Sequence, residues 1–169
     1  MRKIGSVLVL LLGVAVVFSC FDSVGAVAQD FKLKPNFGEK KLETGFEPDP
    51  FKKAIISGGD KVVTVNGVKM RITEAPDFRL IYKAGDTFPL SFYVSSETDT
   101  TLLINLPNGK FISDDDSGGN LNPLITLEKP MSGQYDIWVG SFGAKGKNAK
   151  ATLFITELKV KTPIPKDLK

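Results

Sequence analysis

Beyond residue 30 the chain is written in short apolar–polar alternations, each closed by a turn signal, and no stretch there holds an amphipathic helical period long enough to compete. The clearest unit is a pair of five-residue runs, Lys61-Val62-Val63-Thr64-Val65 and Val68-Lys69-Met70-Arg71-Ile72, joined by Asn66-Gly67. Asn-Gly suits a type I′ turn, because both central residues need positive φ and the twist of that turn matches the flanking strands. In the register this turn dictates, Val65 opposes Val68 and Val63 opposes Met70 on one face, while Thr64 opposes Lys69 and Val62 opposes Arg71 on the other. One side is apolar and the other largely polar, as in a sheet that covers a core on one face.

Seven further strands are expected at 78–82, 90–95, 101–106, 110–112, 124–127, 135–139 and 151–158, separated by Gly, Pro, Asn and Asp turns. About nine strands with turns roughly every 8 to 12 residues describe an all-β antiparallel β-sandwich, with a barrel as the alternative. Residues 51–158 form this domain. Residues 29–50, with lysines, prolines and glycines scattered among single aromatics, read as an irregular N-terminal arm that Phe31, Phe37, Phe46 and Phe51 pin to the body. Residues 159–169 carry little to bury and read as a loose basic tail.

Residues 1–28 have the anatomy of an export signal: Arg2 and Lys3, an apolar run over 7–18, and the small-residue site Ala26-Val27-Ala28. The run is too short to span a bilayer, which takes ~20 apolar residues. Cleavage after Ala28 gives a periplasmic or extracellular protein. The alternative exit is Val17-Phe18-Ser19-Cys20, which resembles a bacterial lipobox and would leave a lipoprotein anchored through Cys20. Removing residues 1–28 leaves 141 residues, one domain's worth, able to bury ~68% of the surface of the unfolded chain. It also leaves 20 basic against 18 acidic residues and no cysteine. The near-balance argues against a nucleic-acid partner, whose phosphates call for a strongly basic face. Without cysteine there is no disulfide framework, so stability must come from the core.

Catalytic patterns are wanting. The chain has no histidine, which removes Ser-His-Asp and Cys-His arrangements and histidine-ligated zinc. The glycine- and lysine-rich stretch 140–147 lacks Walker spacing and a following helix. Neither Ser132-Gly133 nor the acidic loop sits in a recognisable nucleophile frame. The expectation is a protein that is not an enzyme.

The block Asp99-Thr100-Thr101-Leu102-Leu103-Ile104-Asn105, Pro107-Asn108-Gly109, Asp114-Asp115-Asp116-Ser117-Gly118-Gly119, Leu121-Asn122-Pro123 and Ser132-Gly133-Gln134-Tyr135-Asp136-Ile137-Trp138-Val139-Gly140 resembles the bacterial pre-peptidase C-terminal domain family, in particular its stand-alone exported members. Gly45-Phe46-Glu47-Pro48-Asp49-Pro50 and Ala75-Pro76-Asp77-Phe78-Arg79-Leu80 extend the likeness to roughly 46–158. The resemblance implies a jelly-roll-like sandwich without catalysis, in some relatives binding calcium or a polymeric substrate. The chain carries no peptidase, so a role in protease targeting does not transfer.

Two sites follow from the residues. Asp114, Asp116 and Asn120 lie on a glycine-rich turn and could offer oxygens to Ca2+, although the spacing is not that of an EF-hand; the competing reading is a solvated loop braced by Asx-turns. Trp138 and Tyr93, with Tyr82 and Phe142 as further candidates, could form an aromatic face for a sugar or peptide; the competing reading is burial, in a central strand covered on both faces or under the loop 140–150. The function expected is a non-catalytic exported binding or assembly module, calcium-stabilised if the loop holds a cation, recognising an envelope or extracellular protein or a glycan. The alternative is a structural, envelope-associated subunit of a larger assembly.

Overall fold

The computed structural model describes residues 31–143 and 147–166; the expected signal segment and Cys20 lie outside the described residues. Eleven strands run in chain order: β1 Glu39–Glu43, β2 Phe51–Ser57, β3 Lys61–Val65, β4 Val68–Ile72, β5 Phe78–Lys83, β6 Leu90–Ser96, β7 Thr100–Asn105, β8 Phe111–Asp114, β9 Leu124–Leu127, β10 Gly133–Phe142 and β11 Ala149–Thr156. β3 to β11 are the nine expected strands, with ends shifted by a few residues. The β3–β4 hairpin has the register its turn dictates, with Asn66 and Gly67 both at positive φ.

The strands form two stacked sheets, so the all-β sandwich stands. In the larger sheet β1, β5 and β10 lie side by side, and β7 and then β8 continue beyond β10. β10 is ten residues long and shares its other flank between β5, over 133–137, and β4, at 141–142. The smaller sheet has the order β2-β11-β6-β9. Alternate residues of each strand point between the layers: Phe78, Leu80 and Tyr82 of β5, Tyr135, Ile137 and Val139 of β10, Leu102 and Ile104 of β7, Leu90, Phe92 and Val94 of β6, and Leu153 and Ile155 of β11. The Phe92 and Tyr135 rings meet across the layers at 5.7 Å. Each such side chain, removed from water, contributes ~1.5–3 kcal/mol before entropy is charged against it.

Two expectations need correction. The arm 29–50 is not irregular throughout, because β1 pairs in parallel with β5 from Glu39↔Arg79 to Glu43↔Lys83. Its sequence EKKLE hid it: only Leu42 reaches the core, and the backbone ladder supplies the rest. Of the four phenylalanines expected to pin the arm, Phe37, Phe46 and Phe51 pack against the core, but Phe31 is 44% exposed. The second correction is the tail. Ile164 is buried to 1% exposure against Tyr93 and Phe154. Its N–H donates to the Gly118 carbonyl at 2.8 Å, and its carbonyl accepts from the side-chain amides of Asn120 at 2.9 Å and Asn122 at 3.3 Å. Val160 packs on the same patch and the Pro165 carbonyl accepts from Ser95 at 2.6 Å, while Pro163 and Pro165 limit the entropy lost in docking the segment.

A second, smaller core sits on the outer side of the larger sheet. There Val65, Met70 and Ile72 of the hairpin close over Leu103 and Trp138, with Phe111 at its edge. Gly140 makes this approach possible: a Cβ at that position would lie 2.4 Å from Thr101 Oγ1 and 2.7 Å from the Arg71 carbonyl oxygen.

Candidate interaction face

The acidic loop is a clamp. Asp114 Oδ2 accepts the backbone N–H of Ser117 at 3.1 Å and of Leu124 at 2.9 Å, and Oδ1 accepts the Ser117 hydroxyl at 2.5 Å. The carboxylate thus braces the loop three residues on, one residue farther than an Asx-turn, with a second tie to the start of β9. Asn120, expected among the cation ligands, spends its amide nitrogen on the tail. No group of three acidic side chains among the described residues is placed to hold a metal ion. Burial, followed by repulsion from Asp115 and Asp114, pushes the Asp116 carboxyl above its ordinary range; burial and then the charges of Asp116 and Asp115 do the same to Asp99. Ca2+ at this loop would have to compete with three protein donors for Asp114.

The aromatic candidates are dispersed and mostly sealed. Trp138 is fully buried under the β3–β4 hairpin, its ring 6.1 Å from that of Phe111, and so presents no face to a ligand. The cover is the hairpin rather than the loop after β10. Tyr93 stacks on Phe154 with centroids 4.7 Å apart, under Ile164. Tyr82 belongs to the main core, where its hydroxyl donates to Glu157 Oε1; burial and that contact hold its pKa well above the usual phenol range. Phe142 alone of the four is exposed, at the end of β10. Trp138 as a ligand contact is thus corrected by the structure, because the hairpin folds over it; Tyr93 lies under the tail and borders a narrow cleft with Thr156 and Leu158.

The uncovered surface lies on the outside of the smaller sheet. Cross-strand pairing arranges its outward side chains in rows: Lys52, Phe154, Tyr93 and Leu124; then Ala54, Thr152 and Ser95; then Ile56 and Lys150. The tail covers the first row, with Ile164 and Val160 on Tyr93, Phe154 and Leu124. The other two rows form the floor of an open trough of about 540 Å3, into which Phe37, Glu97 and Lys166 also face. Ile56 is 44% exposed there. The sequence reading passed over these residues. Their one signal is parity: in β2 the positions that carry Lys52 should be polar, yet they continue as Ala54 and Ile56.

A buried polar knot holds the other side of the molecule. Asp77 is fully buried; its Oδ2 accepts the Val139 N–H at 2.8 Å, and its Oδ1 lies 3.2 Å from Thr73 Oγ1 and 3.4 Å from Asn36 Nδ2. Burial pushes this carboxyl up to about 7, against the opposing effect of those hydrogen bonds. The protonated form suits the geometry, since Thr73 already directs its own hydrogen to the Ala75 carbonyl at 2.7 Å and can accept one from Asp77. Next to it Arg79 pairs with the buried Asp136 at 2.6 Å and donates to the carbonyls of Phe31 and Leu33. These polar groups tie residues 31–37 to the larger sheet.

Comparison with known proteins leaves the chain without a family: no family model and no curated protein matches it. Among solved structures it is similar to PliG of Aeromonas hydrophila, described as a periplasmic lysozyme inhibitor of g-type lysozyme, at 12% identity over 70% of this chain and 96% of that one, with a TM-score of 0.35. At that score the functional argument rests on the residues themselves. No helix among the described residues is long and apolar enough to cross a membrane.

Proposed function

We propose that this chain is a non-catalytic exported binding module that recognises a protein partner through the trough on the outer face of the smaller sheet. The observation that carries the reading is the incomplete cover: the tail seals the first row and, through the Pro165 carbonyl, Ser95 of the second, and leaves exposed Ala54 and Ile56 and half-buried Thr152 beside charged side chains. A volume of about 540 Å3 falls within the ~300–1,000 Å3 typical of binding pockets, and an apolar floor edged by charge is the usual anatomy of a contact patch. The pre-peptidase C-terminal resemblance agrees with a module of this kind. A glycan ligand is disfavoured by the burial of Trp138, and a cation at the acidic loop by the protein donors already on Asp114. Attachment through Cys20 would place the same module at a membrane surface without altering its face.

The test uses the mature chain as bait in the envelope fraction of its native host, beside an Ile56→Glu variant of equal thermal stability. A stoichiometric protein captured by the wild type and lost by the variant is the expected result. Capture that survives Ile56→Glu, or recovery of glycan in place of protein, overturns the assignment.

A further inference from the structure

We propose that β2 receives an extended, acidic segment of the partner protein as an added strand, whose side chains on one face drop into the trough. This rests on the trough being the contact face and goes beyond it, by fixing both the conformation and the charge of what binds. Among the described residues β2 pairs with β11 on one side and with no strand on the other. It is also the longest strand at a sheet edge: it has seven residues, against five in β1 and β3 and four in β8 and β9. Sheet edges are commonly blunted by charge, proline or brevity. β1 follows that rule with EKKLE, whereas β2 places its lysines in its first half and then runs Ala54-Ile55-Ile56 without a charge or a proline.

An added strand would extend the outer rows by one place. Its side chains would stand ~5 Å from Ala54 and Ile56 and lie along the trough, while backbone hydrogen bonds supply the affinity. The surrounding charge selects the sequence of that strand. Lys40 and Lys52, with Glu47, line the cleft at the start of β2; Lys150 and Lys166, with Glu97, line the trough. Four lysines against two glutamates favour acidic residues next to the apolar ones. Seven residues span ~24 Å at 3.4 Å per residue, so a heptapeptide matches the edge.

The mature chain is titrated with three fluorescein-labelled heptapeptides: one alternating glutamate and valine, one alternating lysine and valine, and the acidic one N-methylated at alternate residues. The acidic peptide should bind at least tenfold more tightly than the basic one, and N-methylation should weaken it at least tenfold, because it removes backbone donors without touching the protein. The Lys52→Glu, Lys150→Glu double variant should reverse the charge preference. Residue-resolved hydrogen exchange should show protection by the acidic peptide over 53–56. Absence of binding by the acidic peptide, indifference to N-methylation, or protection at β1 or β9 overturns strand addition. Loss of envelope capture in Ile56→Glu without any binding of the acidic peptide leaves the face standing and removes the added strand; failure of both removes both.

Discussion

The two sheets treat their outer faces differently. The larger one is covered by its own chain over Trp138 and Leu103, where the β3–β4 hairpin crosses and Gly140 yields the space that lets it do so, and keeps a shallow cleft beside Ile81 at its β1–β5 end. The smaller one is covered over the first row by Ile164 and Val160 of the tail, which also reaches Ser95, and Ala54 and Ile56 remain in contact with water. A large aromatic at an outward position is therefore no guide to binding in this architecture. Trp138 was covered because it had enough apolar area to recruit a hairpin; Ala54 and Ile56 were left because they did not.

The contrast can be broken most forcefully at Trp138. Trp138→Ala should lower unfolding free energy by ~3–5 kcal/mol in urea titration, as expected for a fully buried aromatic; a loss under about 1 kcal/mol would mean that the hairpin does not seal that face. Ile164→Ala should cost ~2–3 kcal/mol, at the lower end for its type because a short tail can relax, and should raise hydrogen exchange at Ser96 and Gly118 first. An unchanged midpoint would show the tail to be a bystander.

Proton uptake at Asp77 distinguishes the sides in another way. Its folded-state pKa of about 7 lies above the ordinary 3.8, so below pH ~4 both states hold the proton and the contribution is complete. As the pH rises from there through 7 the unfolded chain gains by ionising while the folded one does not, and stability declines by at most ~1.4 kcal/mol per pH unit before levelling off. Asp77→Asn, which keeps an acceptor for Val139 and a donor for Thr73, should match the wild type near pH 3 and exceed it by roughly 4 kcal/mol at pH 8, ~1.4 kcal/mol for each pH unit between 3.8 and about 7. A variant less stable than the wild type at pH 8 would show the carboxylate ionised in the fold. Smaller still is the effect of a chelator: with Asp114 committed to Ser117 and Leu124, EDTA should leave the melting temperature unchanged, and a rise on adding millimolar Ca2+ would restore the cation reading. Ile56→Ala should change stability by less than ~0.5 kcal/mol, which makes it a clean probe of binding.

The nine strands from β3 to β11 could be read because each carries its own local signal, a period of two ended by Gly, Pro or Asn-Gly. β1 could not, because its partner β5 lies some 40 residues away and a parallel ladder asks nothing of EKKLE beyond a backbone. The acidic loop was legible as a braced turn, though not its bond three residues on, and the role of Asn120 was not legible: its bond reaches Ile164, 44 residues on, and local chemistry is silent about such partners. The trough was hidden for the same reason. Its floor joins β2, β11 and β6, three segments that alternation describes singly and only pairing brings side by side.

β2 meets β11 through pairs such as Ser57↔Ala149 and Phe51↔Ile155, across roughly a hundred residues. Contacts of such long range form late, so during folding β2 waits with neither flank occupied. In that interval Ala54-Ile55-Ile56 is the segment most exposed to pairing with a second copy of itself, and the yield of soluble protein should depend on how fast β11 arrives or on a chaperone that shields β2 meanwhile.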